Sequence, residues 1–236
     1  MSVVPPILVM HTRLREMTPA EHACIAPDEL QRVRSIRSRH RQQAFLCGRS
    51  LLRFALERWT GEPAASHRLE MTDEGKPLCI DGPAVSLTHS GDFVACAVAG
   101  SGEIGIDLEI SDLRRRTKDI ARRYFSKEEA GWLGTQHDDR FYMLWVLKEA
   151  YSKALGCGLR GLDYLRCRVE PPNIEVSATD GSLQGLGLYK MGQMFLALAV
   201  RHATLSDVRF EHWVSGKVGP LPCNDFQIIA TAADLV

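Results

Sequence analysis

Twice along this chain a long stretch of helical periodicity gives way to a series of short strand-like runs, and that alternation limits the folds open to it. In the Arg-rich region from Pro27 to Trp59, Phe45, Leu52, Ala55, Leu56 and Trp59 recur near a period of 3.6, the mark of an amphipathic helix. Gly61 to Ala65 ends it. Strand candidates follow at His67 to Met71, Leu78 to Ile80, Val85 to His89, Phe93 to Ala99 and Ile104 to Ile110, separated by turn signals such as Ser90-Gly91-Asp92. A further candidate, Ile7 to Met10, precedes the helix. In the second half, Ser126-Lys127-Glu128-Glu129 has the form of a capping box, and Asp138 or Asp139 can cap a longer helix that runs to Leu155 and stops at Gly156 or Gly158. Beyond it lie candidates at Leu165 to Glu170, Asn173 to Val176, Leu186 to Lys190, Met194 to Val200 and Val208 to Trp213. Helices first and strands after, in both halves, predict two α+β lobes with a junction near Ile110 to Leu113. The expected division is 1–111, 112–220 and a C-terminal tail at 221–236.

The 236 residues suffice for one large domain or two small ones. Hydrophobic residues make up 45% and charged residues 25%, the composition of an ordinary globular protein. A formal net charge of zero removes the bulk electrostatic case for a nucleic-acid or anionic-membrane partner, so any basic site must be local. Seven scattered cysteines, with no C-x-x-C pair, read as reduced thiols. The start of the chain has no basic segment followed by a long apolar core, and the longest apolar run, 194–200, is far too short to span a bilayer. A cytoplasmic protein is expected.

Chemistry concentrates in two places. In the strand candidate IGIDLEI, Asp107 and Glu109 share one face and stand about 6.7 Å apart at the backbone, close enough to repel unless something positive lies between them. In the helix WVLKEAYSKALGCGL, the four-residue spacing of Trp145, Glu149 and Lys153 puts all three on one face. Each feature alone reads as a solvated strand face or a surface ion pair. Together Asp107, Glu109 and Glu149 are hard oxygen donors of the kind magnesium takes, with water and substrate phosphate completing its shell. The anion then needs cations, and Arg41, Phe45, Arg49 and Arg53 form a ladder of four-residue steps with Arg49 at the edge of the apolar stripe. Lys76 in a Gly-Lys-Pro turn and Thr88-His89 at a strand end are further candidates, although each taken singly reads as structural.

The ordered set G-K-P (75–77), T-H-S (88–90), G-I-D-L-E (105–109) and W-x-x-K-E-A-Y-x-K-x-x-G-x-G-L (145–159) resembles the 4′-phosphopantetheinyl transferases of the larger, monomeric, two-lobed kind. Upstream, F-L-C-G-R (45–49) is similar to that family's F-L-x-G-R helix. The resemblance spans roughly residues 40 to 165. It implies two similar α+β lobes in pseudo-two-fold arrangement, each with a small, mostly antiparallel sheet. It also implies transfer of the phosphopantetheine arm of coenzyme A to a serine of an acyl or peptidyl carrier protein, in fatty-acid, polyketide or nonribosomal peptide biosynthesis, with release of adenosine 3′,5′-bisphosphate. Asp107, Glu109 and Glu149 would hold Mg²⁺, or Mn²⁺ in its place. Thr88 and His89 would touch the phosphates, Lys76 the adenine or ribose phosphate, Arg41 and Arg49 the 3′-phosphate, and Lys153 the pyrophosphate. Thr88 departs from the serine usual there but keeps the hydroxyl, and the Arg32 to Arg41 stretch aligns only loosely.

The mechanism so implied is in-line attack of the carrier serine on the β-phosphorus, with Glu149 as base, Lys153 neutralising the departing phosphate and Asp107 in support. Carriers are acidic, and Arg114, Arg115, Arg116, Lys118, Arg122 and Arg123 offer a local basic face. Two rival readings use the same residues differently. A metal-dependent phosphohydrolase would turn the carboxylates on water, and a non-enzymatic carrier- or nucleotide-binding module would not need them.

Overall fold

The computed structural model describes residues 7–112, 117–133, 139–170, 172–202, 205, 207–214, 217–220 and 227–233. In chain order the elements are β1 (Ile7–Arg13), α1 (Pro19–Ala23), α2 (Pro27–Ser35), α3 (Arg39–Thr60), β2 (Leu69–Met71), β3 (Pro77–Cys79), β4 (Ala84–Ser90), β5 (Phe93–Ala99) and β6 (Glu103–Ile110). There follow α4 (Thr117–Tyr124), α5 (Lys127–Leu133), α6 (Asp139–Leu155), β7 (Leu165–Glu170), β8 (Asn173–Ala178), β9 (Leu183–Met191) and β10 (Met194–Arg201). The last are β11 (Val208–Val214), β12 (Lys217–Pro220) and β13 (Gln227–Ala233).

Two compact units emerge, one of Met1–Gly100 with Ser206–Asn224 and the other of Ser101–Leu205 with Asp225–Val236. Each is α+β. In the first, the strands run β12-β11-β1-β5-β4, with β2 and β3 as a separate hairpin. The neighbours are antiparallel except for β1 with β11, which are parallel from Ile7↔Val208 to His11↔His212. Helix α3 covers this sheet because Leu51, Leu52, Ala55 and Leu56 lie on one stripe and bury against Leu8, Met10, Val94, Cys96 and Val98. Each fully buried leucine contributes about 1.5–3 kcal/mol. Ser38 caps the helix by accepting from Arg41 N, and Gly61 ends it in the left-handed region at φ 80°.

In the second unit the order is β6-β10-β9-β13-β8-β7, antiparallel except for β13 with β8. Helix α6 is buried over most of its circumference: Phe141, Tyr142, Leu144, Val146, Leu147, Ala150 and Tyr151 all lie inside. A helix with so wide an apolar surface must be largely enclosed, and α6 is the axis of this unit's core. The two units share a plan. In each a first strand (β1 or β6) is followed by a long helix (α3 or α6), then by a hairpin (β4–β5 or β9–β10) whose second strand lies antiparallel against the first.

The expected boundaries differ from these. Strand β6 belongs with the second unit, because all eight of its residues pair with β10 from Ile110↔Met194 to Glu103↔Arg201. Conversely β11 and β12 return to the first unit, where β1 offers β11 a parallel edge. The segment 221–236 is not a simple tail either, since β13 lies between β9 and β8. The helical region from Pro27 breaks at Ile36 into α2 and α3.

Candidate active site

Glycine 105 sets the geometry of the second unit's acidic site. A Cβ placed there would lie 1.9 Å from the carbonyl oxygen of Ala150 and 2.5 Å from Ala154 N, so the strand backbone rests directly on α6. Only glycine permits that approach. Further along, Tyr142 Oη accepts from Asp112 N at 2.9 Å and donates to Asp112 O at 3.0 Å. Residue 105 thus lies against the C-terminal half of α6 and residue 112 against its start, so β6 runs antiparallel to the helix. Strand alternation gives Gly105, Asp107 and Glu109 the same side, the one that meets α6. The three carboxylates predicted as ligands fall along one strip: Asp107 buried, Glu109 and Glu149 half-buried.

Lys153 closes the contact. Its Nζ donates to Asp107 Oδ1 at 2.6 Å, with side-chain exposures of 29% for the lysine and 8% for the aspartate, so the ion pair is largely out of water. The chain's own ammonium stands where a cation is wanted, which shows that the donor set suits a positive charge. Among the described residues no three His, Cys, Asp or Glu side chains already stand together as a metal cage. The carboxylates share a strip, and Lys153 neutralises one of them, Asp107.

Lys148, the neighbour of Glu149, was quoted in the motif without a role. It is fully buried, donating to Glu129 at 3.0 and 3.2 Å and to Leu165 O. Glu129 also accepts from Ser126 N at 2.8 Å and Cys167 N at 3.1 Å. Ser126 Oγ accepts from Glu129 N, so the predicted capping box is present. Its glutamate ties α5, α6 and β7 together and fixes the helix that carries Glu149 and Lys153. A lysine in the middle of an otherwise apolar helix was the legible signal.

The first unit gathers some of the predicted phosphate-binding residues and redirects others. Gly48 seats α3 on Leu87, where a Cβ would stand 3.1 Å from the leucine side chain, and His40 Nε2 lies 3.3 Å from Asp92 Oδ1. These two contacts lay the N-terminal half of α3 along β4. His89 shares Leu87's side and falls level with the Arg41–Phe45 turn, where both His89 and Arg41 are exposed. Thr88 is buried and points to the other face, so Thr88 and His89 do not act as one pair. Lys76 is half-buried in the β2–β3 turn, where its N–H donates to Thr72 Oγ1 at 3.1 Å.

Arg49 differs from its expected role. It is 2% exposed, with Nε 3.4 Å from Glu29, a contact to Met71 sulfur, and its guanidinium over the Phe45 ring. Burial lowers its pKa, partly offset by Glu29. Arg53 is equally buried, 3.1 Å from Glu29 and donating to Cys24 O at 2.7 Å. Arg49 braces α2 and the β2–β3 hairpin against α3, Arg53 braces α2 and the end of α1, and neither is presented to solvent.

On α4, Lys118, Arg122 and Arg123 are exposed, while Arg114, Arg115 and Arg116 lie outside the described residues. Among the described residues the cysteines are free thiols, and Cys223 lies outside them. No described helix is long and apolar enough to cross a membrane.

Known proteins supply the decisive comparison. The family model described as the 4′-phosphopantetheinyl transferase superfamily matches residues 103–212, and that of the 4′-phosphopantetheinyl transferase N-terminal domain matches residues 31–99. A 4′-phosphopantetheinyl transferase of Bacillus subtilis is 30% identical over 167 residues, 67% of this chain and 73% of that protein. The chain belongs to the 4′-phosphopantetheinyl transferase superfamily. The HetI transferase of a Nostoc species is 30% identical over 158 residues, 63% of this chain and 67% of its own length. An L-aminoadipate-semialdehyde dehydrogenase-phosphopantetheinyl transferase of Xenopus laevis is 26% identical over 191 residues, 73% of this chain and 60% of its own. The chain therefore spans about two thirds of the curated relatives it matches. Enzymes of this superfamily use coenzyme A as substrate, generally with a divalent metal, and act on carrier proteins.

Proposed function

We propose that this phosphopantetheinyl transferase moves the 4′-phosphopantetheine arm of coenzyme A to a serine hydroxyl of an acyl or peptidyl carrier protein. The observation that carries the reading is the backbone contact at Gly105, which brings the Asp107/Glu109 strand onto the Glu149/Lys153 helix. Asp107, Glu109 and Glu149 are the residues to hold magnesium, whose charge, when it is bound, neutralises the coenzyme's diphosphate.

Glu149 takes the proton from the carrier serine as its oxygen bonds to the β-phosphorus. The phosphoanhydride bond breaks on the far side, and its electrons leave with adenosine 3′,5′-bisphosphate, whose new charge Lys153 meets. Arg41, Lys76 and His89 are the accessible contacts for the coenzyme's phosphates and ribose, with Thr88 a buried hydroxyl one residue away on β4. Arg49 serves by holding the β2–β3 hairpin in place.

Incubating the purified protein with coenzyme A, magnesium chloride and a panel of apo carriers, followed by mass spectrometry of the carriers, tests this. Addition of phosphopantetheine to a carrier serine is the expected result; hydrolysis of coenzyme A with no labelled carrier would favour a phosphohydrolase. Glu149→Gln should abolish transfer and leave coenzyme binding partly intact, and a fully active variant removes Glu149 as base.

A further inference from the structure

We propose that Lys153 is a displaceable internal counter-ion of the acidic site, which competes with a divalent cation for Asp107. This rests on the metal reading above and adds to it a competition and a coupling. The 2.6 Å ion pair is directional and mostly buried, so the lysine and a metal ion cannot both neutralise the same carboxylate oxygen. Lys153 occupies Oδ1 alone, and a cation that comes to the other oxygen still meets the like charge of the neighbouring ammonium. Lys153 can leave. Its long side chain is 29% exposed, against 8% for the aspartate, and needs only a change of rotamer.

Two consequences follow from competition for one carboxylate. Without an anionic substrate, the metal's apparent affinity is reduced by the fraction of molecules in which the ammonium has let go. With coenzyme A present, its diphosphate offers the released ammonium a new partner, so substrate and metal strengthen each other's binding by the same factor. A lysine that leaves Asp107 in about one molecule in ten gives a tenfold weaker metal site, the factor expected here. The sequence motif places the lysine; the structure adds that it pairs with Asp107.

Titration with Mn²⁺, read by the electron paramagnetic resonance of the free ion and with no carrier present so that no turnover occurs, tests this directly. Wild type should bind Mn²⁺ weakly alone and about tenfold more tightly with coenzyme A. Lys153→Met, which keeps the aliphatic stem, should bind Mn²⁺ about tenfold more tightly than wild type without coenzyme A, and the further gain from coenzyme A should shrink to what the diphosphate itself gives the ion. Lys153→Arg retains the charge and should remain weak. Equal Mn²⁺ affinity of the methionine and arginine variants, without coenzyme A, overturns the counter-ion proposal while leaving the metal site standing. A wild type that takes up no Mn²⁺ even with coenzyme A overturns the metal reading itself. Should the methionine variant not fold, Lys153→Gln carries the same comparison.

Discussion

Gly105→Ala is the sharpest perturbation of the site that touches none of its charged groups. The added Cβ would lie 1.9 Å from Ala150 O, and ordinary contact begins near 3.4 Å, so β6 must retreat from α6 by about 1.5 Å. The obstacle is helix backbone and cannot rotate aside. Overpacking costs about 1–3 kcal/mol, and a rigid obstacle argues for the upper end. The same retreat would stretch the 2.6 Å bond from Lys153 to Asp107 beyond hydrogen-bonding distance. A displacement of that order at a catalytic group costs about 10²-fold in turnover. Urea denaturation followed by tryptophan fluorescence should show a midpoint lowered in proportion to about 3 kcal/mol. Gly131→Ala in α5 is the control: nothing lies within 4 Å of its Cβ, and alanine is expected to be neutral or to stabilise by up to about 1 kcal/mol. A Gly105→Ala protein with the wild-type midpoint and full transfer would refute the close contact.

Lys148→Met should destabilise by about 3–5 kcal/mol in the same assay, because Glu129 is left buried without its cation; adding Glu129→Gln should recover part of the loss. Acid should weaken the first unit through Glu21: burial alone raises its pKa, but hydrogen bonds from Arg15, Thr18 and Trp213 outweigh that and hold it at about 2, against an ordinary 4.5. The resulting stabilisation, about 3 kcal/mol, is complete above pH 4.5 and lost as pH falls towards 2. Trp213→Phe removes one donor, at 2.6 Å, and should shift acid unfolding to higher pH; an unchanged acid midpoint by circular dichroism counts against this. Arg122→Glu with Arg123→Glu should raise the carrier KM, flatten its rise with salt and leave the coenzyme A KM unchanged; a carrier KM indifferent to both charge and salt removes α4 as a docking face.

What could be read from the sequence was local. The runs at Phe93, Ile104, Leu165 and Met194 announced strands because their apolar residues are continuous or alternate strictly, and all four form where expected. The carboxylate–lysine strip was legible as two motifs on a strand and a helix. Partnership was not. Nothing within Val208–Val214 says that it pairs parallel with β1, some two hundred residues earlier, so the unit boundaries were misplaced at both ends. Gln227–Ala233 lacks strict alternation and is Ala-rich, so it does not announce itself as a strand inside a sheet. The burial of Arg49 was out of reach for a related reason. Its helix position put it beside the apolar stripe, but the buried Glu29 that claims it comes from a different helix. Gly105 was part of a quoted motif, and only the tertiary contact explains why no side chain is tolerated there.

The return of β11 to lie beside β1 has a consequence for biosynthesis. As the chain leaves the ribosome, β1 emerges some two hundred residues before the strand that pairs with its edge, β11. Throughout that interval a row of unsatisfied amides and carbonyls is open to mispairing with other nascent chains. A strand made early is therefore completed late, and the yield should depend on whatever shields that margin in the meantime.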